Sequence, residues 1–147
     1  MAMNSDKIAA IKAFIQEVNL DVQDYQALLK VLKAQHTMLT KRDSERLEQT
    51  AAQYQKFLAK LEDRAAKRSQ LLMRIGVSSD AKGVEKLIEA LPDSIAKPLT
   101  QNWIKLQESV SECQAQNERN GHLLSMQQSI LTELTQSSSE SQIYAPE

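Results

Sequence analysis

No glycine or proline occurs before Gly76, and a chain whose first half lacks these turn formers has few folds open to it. A sheet protein needs a reversal about every 8–12 residues, made chiefly by Gly, Pro, Asn and Asp. The whole 147-residue chain holds three glycines and three prolines, and only 4% of it is aromatic. Leu, Ala, Gln, Ser, Lys and Glu dominate, which is the palette of long helices. The fold class is therefore all-α: a long antiparallel helical hairpin, a short helix and a third long helix in a coiled-coil-like bundle.

Apolar spacing places the helices. The first seam reads Ile8, Ile11, Ile15, Val18, Val22, Tyr25, Leu29, Leu32, His36 and Leu39, in steps of three and four. Phe14 and Leu28 widen this stripe enough to meet two neighbours. A second seam, Leu47, Ala51, Tyr54, Leu58, Leu61, Ala65, Arg68, Leu72 and Ile75, runs one residue out of phase. The polar stretch Thr40–Ser44 between them predicts a tight turn with Asp43 or Ser44 as N-cap. The alternative is one unbroken helix of roughly 110 Å. Such a helix could hardly bury both seams, so the hairpin is preferred. Gly76 predicts a C-cap, and Pro92 stops a short amphipathic helix. Pro98 suits the first turn of the last long helix. The expected helices span about 5–40, 43–76, 83–91 and 94–136. They form one domain over 1–136, followed by a disordered tail, 137–147.

Charge and chemistry exclude several function classes. The net charge of −1 exerts no general pull on nucleic acid or anionic membrane. The cluster Lys56, Lys60, Arg64, Lys67 and Arg68 reads as a solvated helix face. Glu17, Asp21 and Asp24 read likewise, with a docking patch for a basic partner as the alternative. Arg68 on the second seam predicts an incompletely closed layer, and His36 on the first a histidine bonded to a neighbour. Glu118 and His122 form an i,i+4 pair without a third ligand, so no metal is expected. No phosphate loop, nucleophile elbow or cysteine cluster is present, so neither catalysis nor a cofactor is expected. Cys113 is the single cysteine, which suits a reducing compartment. Met1–Asp6 has no signal-peptide character, and no apolar run approaches the ~20 residues of a membrane span. These features together predict a soluble, cytoplasmic protein.

The most informative stretch is Gln114–Gly121. The third seam runs Leu99, Trp103, Leu106, Val110, Cys113 and continues at Leu124, Leu131 and Leu134, yet Asn117 and Asn120 occupy seam positions between them. Polar residues there trade stability for register or partner choice, and Gly121 adds a helix-interior cost of about 1 kcal/mol. The pattern predicts a polar layer joining two halves of one helix, with Gly121 admitting either close helix contact or a bend. Trp103 reads as a core anchor, or as a residue facing a partner. Past the joint the apolar stripe widens, with Leu123, Met126 and Ile130 flanking Leu124, Leu131 and Leu134. That width serves either as core against the hairpin or as a partner surface.

Taken together, Leu28-Leu29 to Leu39, Arg42-Asp43 before Leu47, Arg68–Leu72 before Gly76, Leu91-Pro92, Trp103–Leu106 and Cys113–Asn117 with Asn120-Gly121 resemble the FlgN family of flagellar export chaperones. The resemblance covers most of the chain, and Trp103, Asn117, Asn120 and Gly121 are its most specific residues. It implies a cytoplasmic chaperone that binds the C-terminal helical segments of hook–filament junction (hook-associated) proteins. Such a chaperone prevents their premature association and delivers them to the membrane protein of the type III export gate through its cytoplasmic domain. The resemblance implies no cofactor, no nucleic acid and no membrane insertion. On the helix-in-groove mode the client surface would be Leu123, Leu124, Met126, Ile130, Leu131 and Leu134. A tyrosine toward the C-terminus is tied to gate docking in the family, and Tyr144 either holds that role or none. The rival class is a structural coiled-coil adaptor that self-associates through the same seams.

Overall fold

The computed structural model describes the backbone of residues 4–144, with the side chains of all these except Leu131 and 136–144. It contains four helices: α1 (Ser5–Lys41), α2 (Ser44–Ile75), α3 (Ala81–Ala90) and α4 (Asp93–Tyr144). No strand occurs among the described residues.

Side-chain caps explain the boundaries. The Lys7 backbone N–H donates to Asn4 Oδ1 at 2.7 Å, and that of Arg46 to Asp43 Oδ1 at 3.2 Å. Each satisfies one donor that an isolated helix start leaves open. The hairpin turn is only Arg42-Asp43, with Arg42 left-handed at φ 55°. Gly76 closes α2 at φ 97°, where a residue without Cβ is unstrained. Asp80 caps α3 by accepting from the Gly83 N–H, so this helix starts at Ala81 rather than 83. Gly83 is packed so tightly that an added Cβ would lie 1.6 Å from the Ser78 carbonyl oxygen.

Two expectations about α4 change. Its start at Asp93 agrees with the expected one to within a residue but puts Pro98 in the second turn instead of the first, where it removes the bond to the Ser94 carbonyl. Buried Ala96 and Leu99 hold the turn from either side. The backbone also stays helical to Tyr144, through residues read from sequence as tail. From His122 to Tyr144 the sequence has no Gly or Pro, and Ser, Gln and Glu each cost only tenths of a kcal/mol in a helix.

α1 is the central helix: α2 packs along it antiparallel and α4 parallel, while α2 and α4 scarcely meet. One core cluster unites Phe14, Val18, Leu72, Ile75, Val84, Leu87 and Leu99 near the α3 end. A smaller one joins Leu28, Leu32, Leu61 and Cys113. Full burial of each large side chain contributes about 1.5–3 kcal/mol. Because α1 serves neighbours on two flanks, its buried face shifts to Phe14 and Leu28, leaving Ile15 and Leu29 half-buried and Ile8 exposed.

The three acids read as solvated are instead partners of Lys60, Arg64 and Arg68, while Lys56 and Lys67 are exposed as expected. Asp21 is 0% exposed. Arg64 donates to Asp21 Oδ1 at 2.9 Å and to Asp24 Oδ2 at 2.5 Å, and its Nε lies 3.3 Å from Glu17. Arg68 also pairs with Asp21. Burial pulls the Arg68 guanidinium below its usual range, with Glu17 acting in the opposite sense. Antiparallel pairing brings i,i+4 acids of α1 against i,i+4 bases of α2, an arrangement invisible when each helix is read alone. Arg68 thus marks a closed charged layer, not an open one.

Candidate helix-binding cleft

The α1–α4 seam changes character along its length. At heptad spacing α4 presents Leu99, Leu106, Cys113, Asn120, Gln127 and Leu134. Leu99 and Leu106 are buried in the core. The next three instead donate to main-chain carbonyls of α1. Cys113 Sγ bonds the Tyr25 oxygen at 3.3 Å, Asn120 Nδ2 the Leu32 oxygen at 2.8 Å, and Gln127 Nε2 the Leu39 oxygen at 2.8 Å. Each carbonyl has a second lone pair beyond its helical bond, which makes the addition possible.

Asn120 is the hub. Its Oδ1 accepts from Gln116 Nε2 at 3.0 Å and lies 3.1 Å from His36 Nδ1, and its Nδ2 also reaches Gln35 Oε1 at 3.2 Å. Because Oδ1 can only accept, His36 must present Nδ1–H. The polar layer expected from sequence therefore exists, but its second member is Gln116. Asn117 is exposed, since it belongs to the other strand of the heptad: Trp103, Val110, Asn117 and Leu124.

That other strand opens progressively. Trp103 packs on Phe14 with ring centroids 6.3 Å apart, whereas Leu124 is exposed. Between α2 and α4, over a floor of α1, lie two linked hollows, and a third continues them along α4 alone past the turn. The first, about 170 Å³, is lined by Tyr25, Leu28, Tyr54, Leu58, Val110 and Asn117, among others. The second, about 380 Å³, shares Asn117 and adds Leu39, Leu47, Ala51, Gly121 and Leu124. The third, about 350 Å³, shares Leu124 and lies beyond the hairpin turn, against Arg42, Ile130 and Leu134. There α4 outruns α1, and the face that α1 would cover is bare: Ile130 is 47% and Leu134 62% exposed.

Of the residues singled out from sequence, Leu124, Ile130 and Leu134 come together in this cleft. Leu123 is half-buried, and Met126 is exposed but outside the three hollows. The Leu131 and Tyr144 side chains lie outside the described residues. No Cβ contact exists within 4 Å at Gly121, so close packing inside this chain does not explain that glycine. The α2 wall, Leu47, Ala51, Tyr54 and Leu58, went unrecognised as a site. Its signal was the second seam, which carries all four of these residues. Cys113 is buried, and its thiol is pushed up to about 11, by desolvation first and by Glu112 second. Among the described residues no cluster of three potential metal ligands occurs, and no helix is long and apolar enough to cross a membrane.

A comparison with solved structures finds the same fold in a flagella synthesis protein FlgN from Pseudomonas aeruginosa. The TM-score is 0.69 at 23% identity, over 84% of this chain and 90% of that one. A comparison with curated proteins gives no match. The family model described as FlgN protein matches residues 1–146. With that match running through all four helices, the chain belongs to the FlgN family, a family of flagellar assembly.

Proposed function

We propose that this protein is a cytoplasmic export chaperone for hook–filament junction proteins. It holds their C-terminal helical segments and delivers them to the type III export gate, by binding without turnover. The observation that carries this reading is the bare apolar face of α4, with Leu124, Ile130 and Leu134 exposed where the helix passes the hairpin turn. An isolated exposed Leu needs no explanation, but a run of them on one cleft wall favours a partner. Nucleic acid is disfavoured as partner, because Lys60, Arg64 and Arg68 are engaged by the carboxylates of α1.

Co-purification with junction proteins tests the proposal. Ile130→Glu should abolish capture while the far-UV helical signal persists. Undiminished capture removes α4 as the client surface. The same bare face also allows the rival reading, a self-associating adaptor, for which light scattering should report a client-free dimer at every concentration.

A further inference from the structure

We propose that the client is gripped between two walls, α4 and the first half of α2, as a single uncharged-faced amphipathic helix that crosses closest at Gly121 and Ala51. This deepens the chaperone reading above and rests on it.

Four observations specify the occupant. The walls and floor of the cleft are helices, whose interior main-chain groups are already bonded within each helix. No sheet edge is offered, so a segment entering this apolar space must satisfy its own backbone, which a helix does. The hollows run along α4 from Val110 to Leu134, with α2 opposite as far as Leu124 and α4 with Arg42 alone beyond it, a length of roughly 36 Å that about 24 helical residues would fill. Charge complementarity is absent by composition. From Gly121 to Thr135 the only titratable residues of α4 are His122 and Glu133, and the groups lining the hollows on that helix are apolar or amide. The α2 side adds Glu48 near the middle and the turn adds Arg42 at the tip, opposite signs that set up no net field.

The fourth observation concerns width. Gly121 and Ala51 line the same hollow from opposite walls, and a Cβ at Gly121 would meet only open space. Short side chains facing one another let a third helix approach both backbones. The client should therefore carry Gly, Ala or Ser at the crossing, with larger apolar residues toward Tyr54 on one side and Ile130 on the other.

The test uses the full chain and a fluorescein-labelled peptide of a junction protein's C-terminal helical segment, followed by anisotropy. Ala51→Trp and Gly121→Leu place bulk into open space from either wall and should preserve the helical signal without lowering the melting temperature, which Gly121→Leu should raise. Both should weaken the peptide's binding at least tenfold, as should Leu58→Glu and Ile130→Glu. Raising salt from 50 to 500 mM should change the wild-type affinity less than threefold. If Ile130→Glu loses binding while Ala51→Trp and Leu58→Glu bind within twofold of wild type, the client lies on α4 alone and the second wall is overturned. Full binding by Gly121→Leu overturns the close crossing, and a steep loss of affinity with salt overturns the uncharged face. If Ile130→Glu also binds normally, the chaperone reading of α4 fails with it. A client-free dimer that Ala51→Trp converts to monomer would place a second copy in the cleft instead, against the proposal.

Discussion

Asn120 donates to the main-chain oxygen of Leu32 at 2.8 Å, one helix to another, in the middle of a seam that a coiled coil would fill with Leu. Around that bond sit Gln116, Gln35 and His36, all satisfied through the same amide. Removing the amide strands several part-buried polar groups together, and each such group costs about 1–3 kcal/mol when left unpaired. Asn120→Ala should therefore destabilise the protein by about 2 kcal/mol or more. Thermal unfolding should record a fall of roughly 4–8 °C for a chain of this size. An unchanged melting temperature would mean that water replaces the amide.

The charged layer between α1 and α2 makes a contrasting pair. Asp21 is fully buried with two guanidinium partners, whereas the Lys60 side chain is 58% exposed beside Asp24 at 3.6 Å. Asp21→Ala takes from the part-buried Arg68 its carboxylate partner and from Arg64 one of three, and should cost about 3 kcal/mol. Lys60→Ala should cost under about 0.5 kcal/mol, with a loss that salt erases. Urea unfolding of the two variants measures both, and equal losses would contradict the burial argument.

Gly121 is the cheapest stabilisation available. Its helix interior position disfavours glycine by about 1 kcal/mol relative to Ala, and an added methyl touches nothing within 4 Å. Gly121→Ala should raise the melting temperature by roughly 2–4 °C. A drop would instead reveal a contact that forms only in the folded protein in solution.

Alkaline pH should act through the buried thiol. Cys113 ionises at about 11 in the folded chain against an ordinary 9.0, so between these values the unfolded state releases a proton that the folded state keeps. Its contribution to stability is thus intact below about pH 9 and falls as pH rises toward 11. Tyr25, raised first by burial and then by Cys113, continues the fall above its ordinary 10.0. Cys113→Ser should flatten the part of the limb that begins near pH 9 while keeping a donor for the Tyr25 carbonyl. Stability curves from pH 8 to 11 check this, and identical slopes would refute the assignment to the thiol.

Much of the architecture was legible because helices announce themselves locally. Asp43 among the offered caps, Gly76 as terminator and the polar stretch around Arg42 each follow from short-range chemistry. What stayed hidden depended on how helices face one another. Asp21 looks like one of three surface acids until the antiparallel register sets Arg64 and Arg68 against it. Asn117 and Asn120 are equivalent on a single helical wheel, and only the position of α1 sends one inward and the other into the cleft. Ala51 and Leu58 sit on a proper seam, yet α2 and α4 both lean on α1 and leave that seam half open. The helical end to Tyr144 escaped because a polar composition weakens helix without forbidding it.

The rungs at Cys113, Asn120 and Gln127 end on the peptide backbone of α1, and backbone oxygens are the same whatever side chains stand at Tyr25, Leu32 and Leu39. Point substitutions along α1 can therefore accumulate without unhooking α4. A single inserted or deleted residue between Tyr25 and Leu39 cannot, since it turns the downstream oxygens about 100° around the helix axis. Divergence in this stretch is thus free in spelling but fixed in length, a constraint by counting rather than by identity.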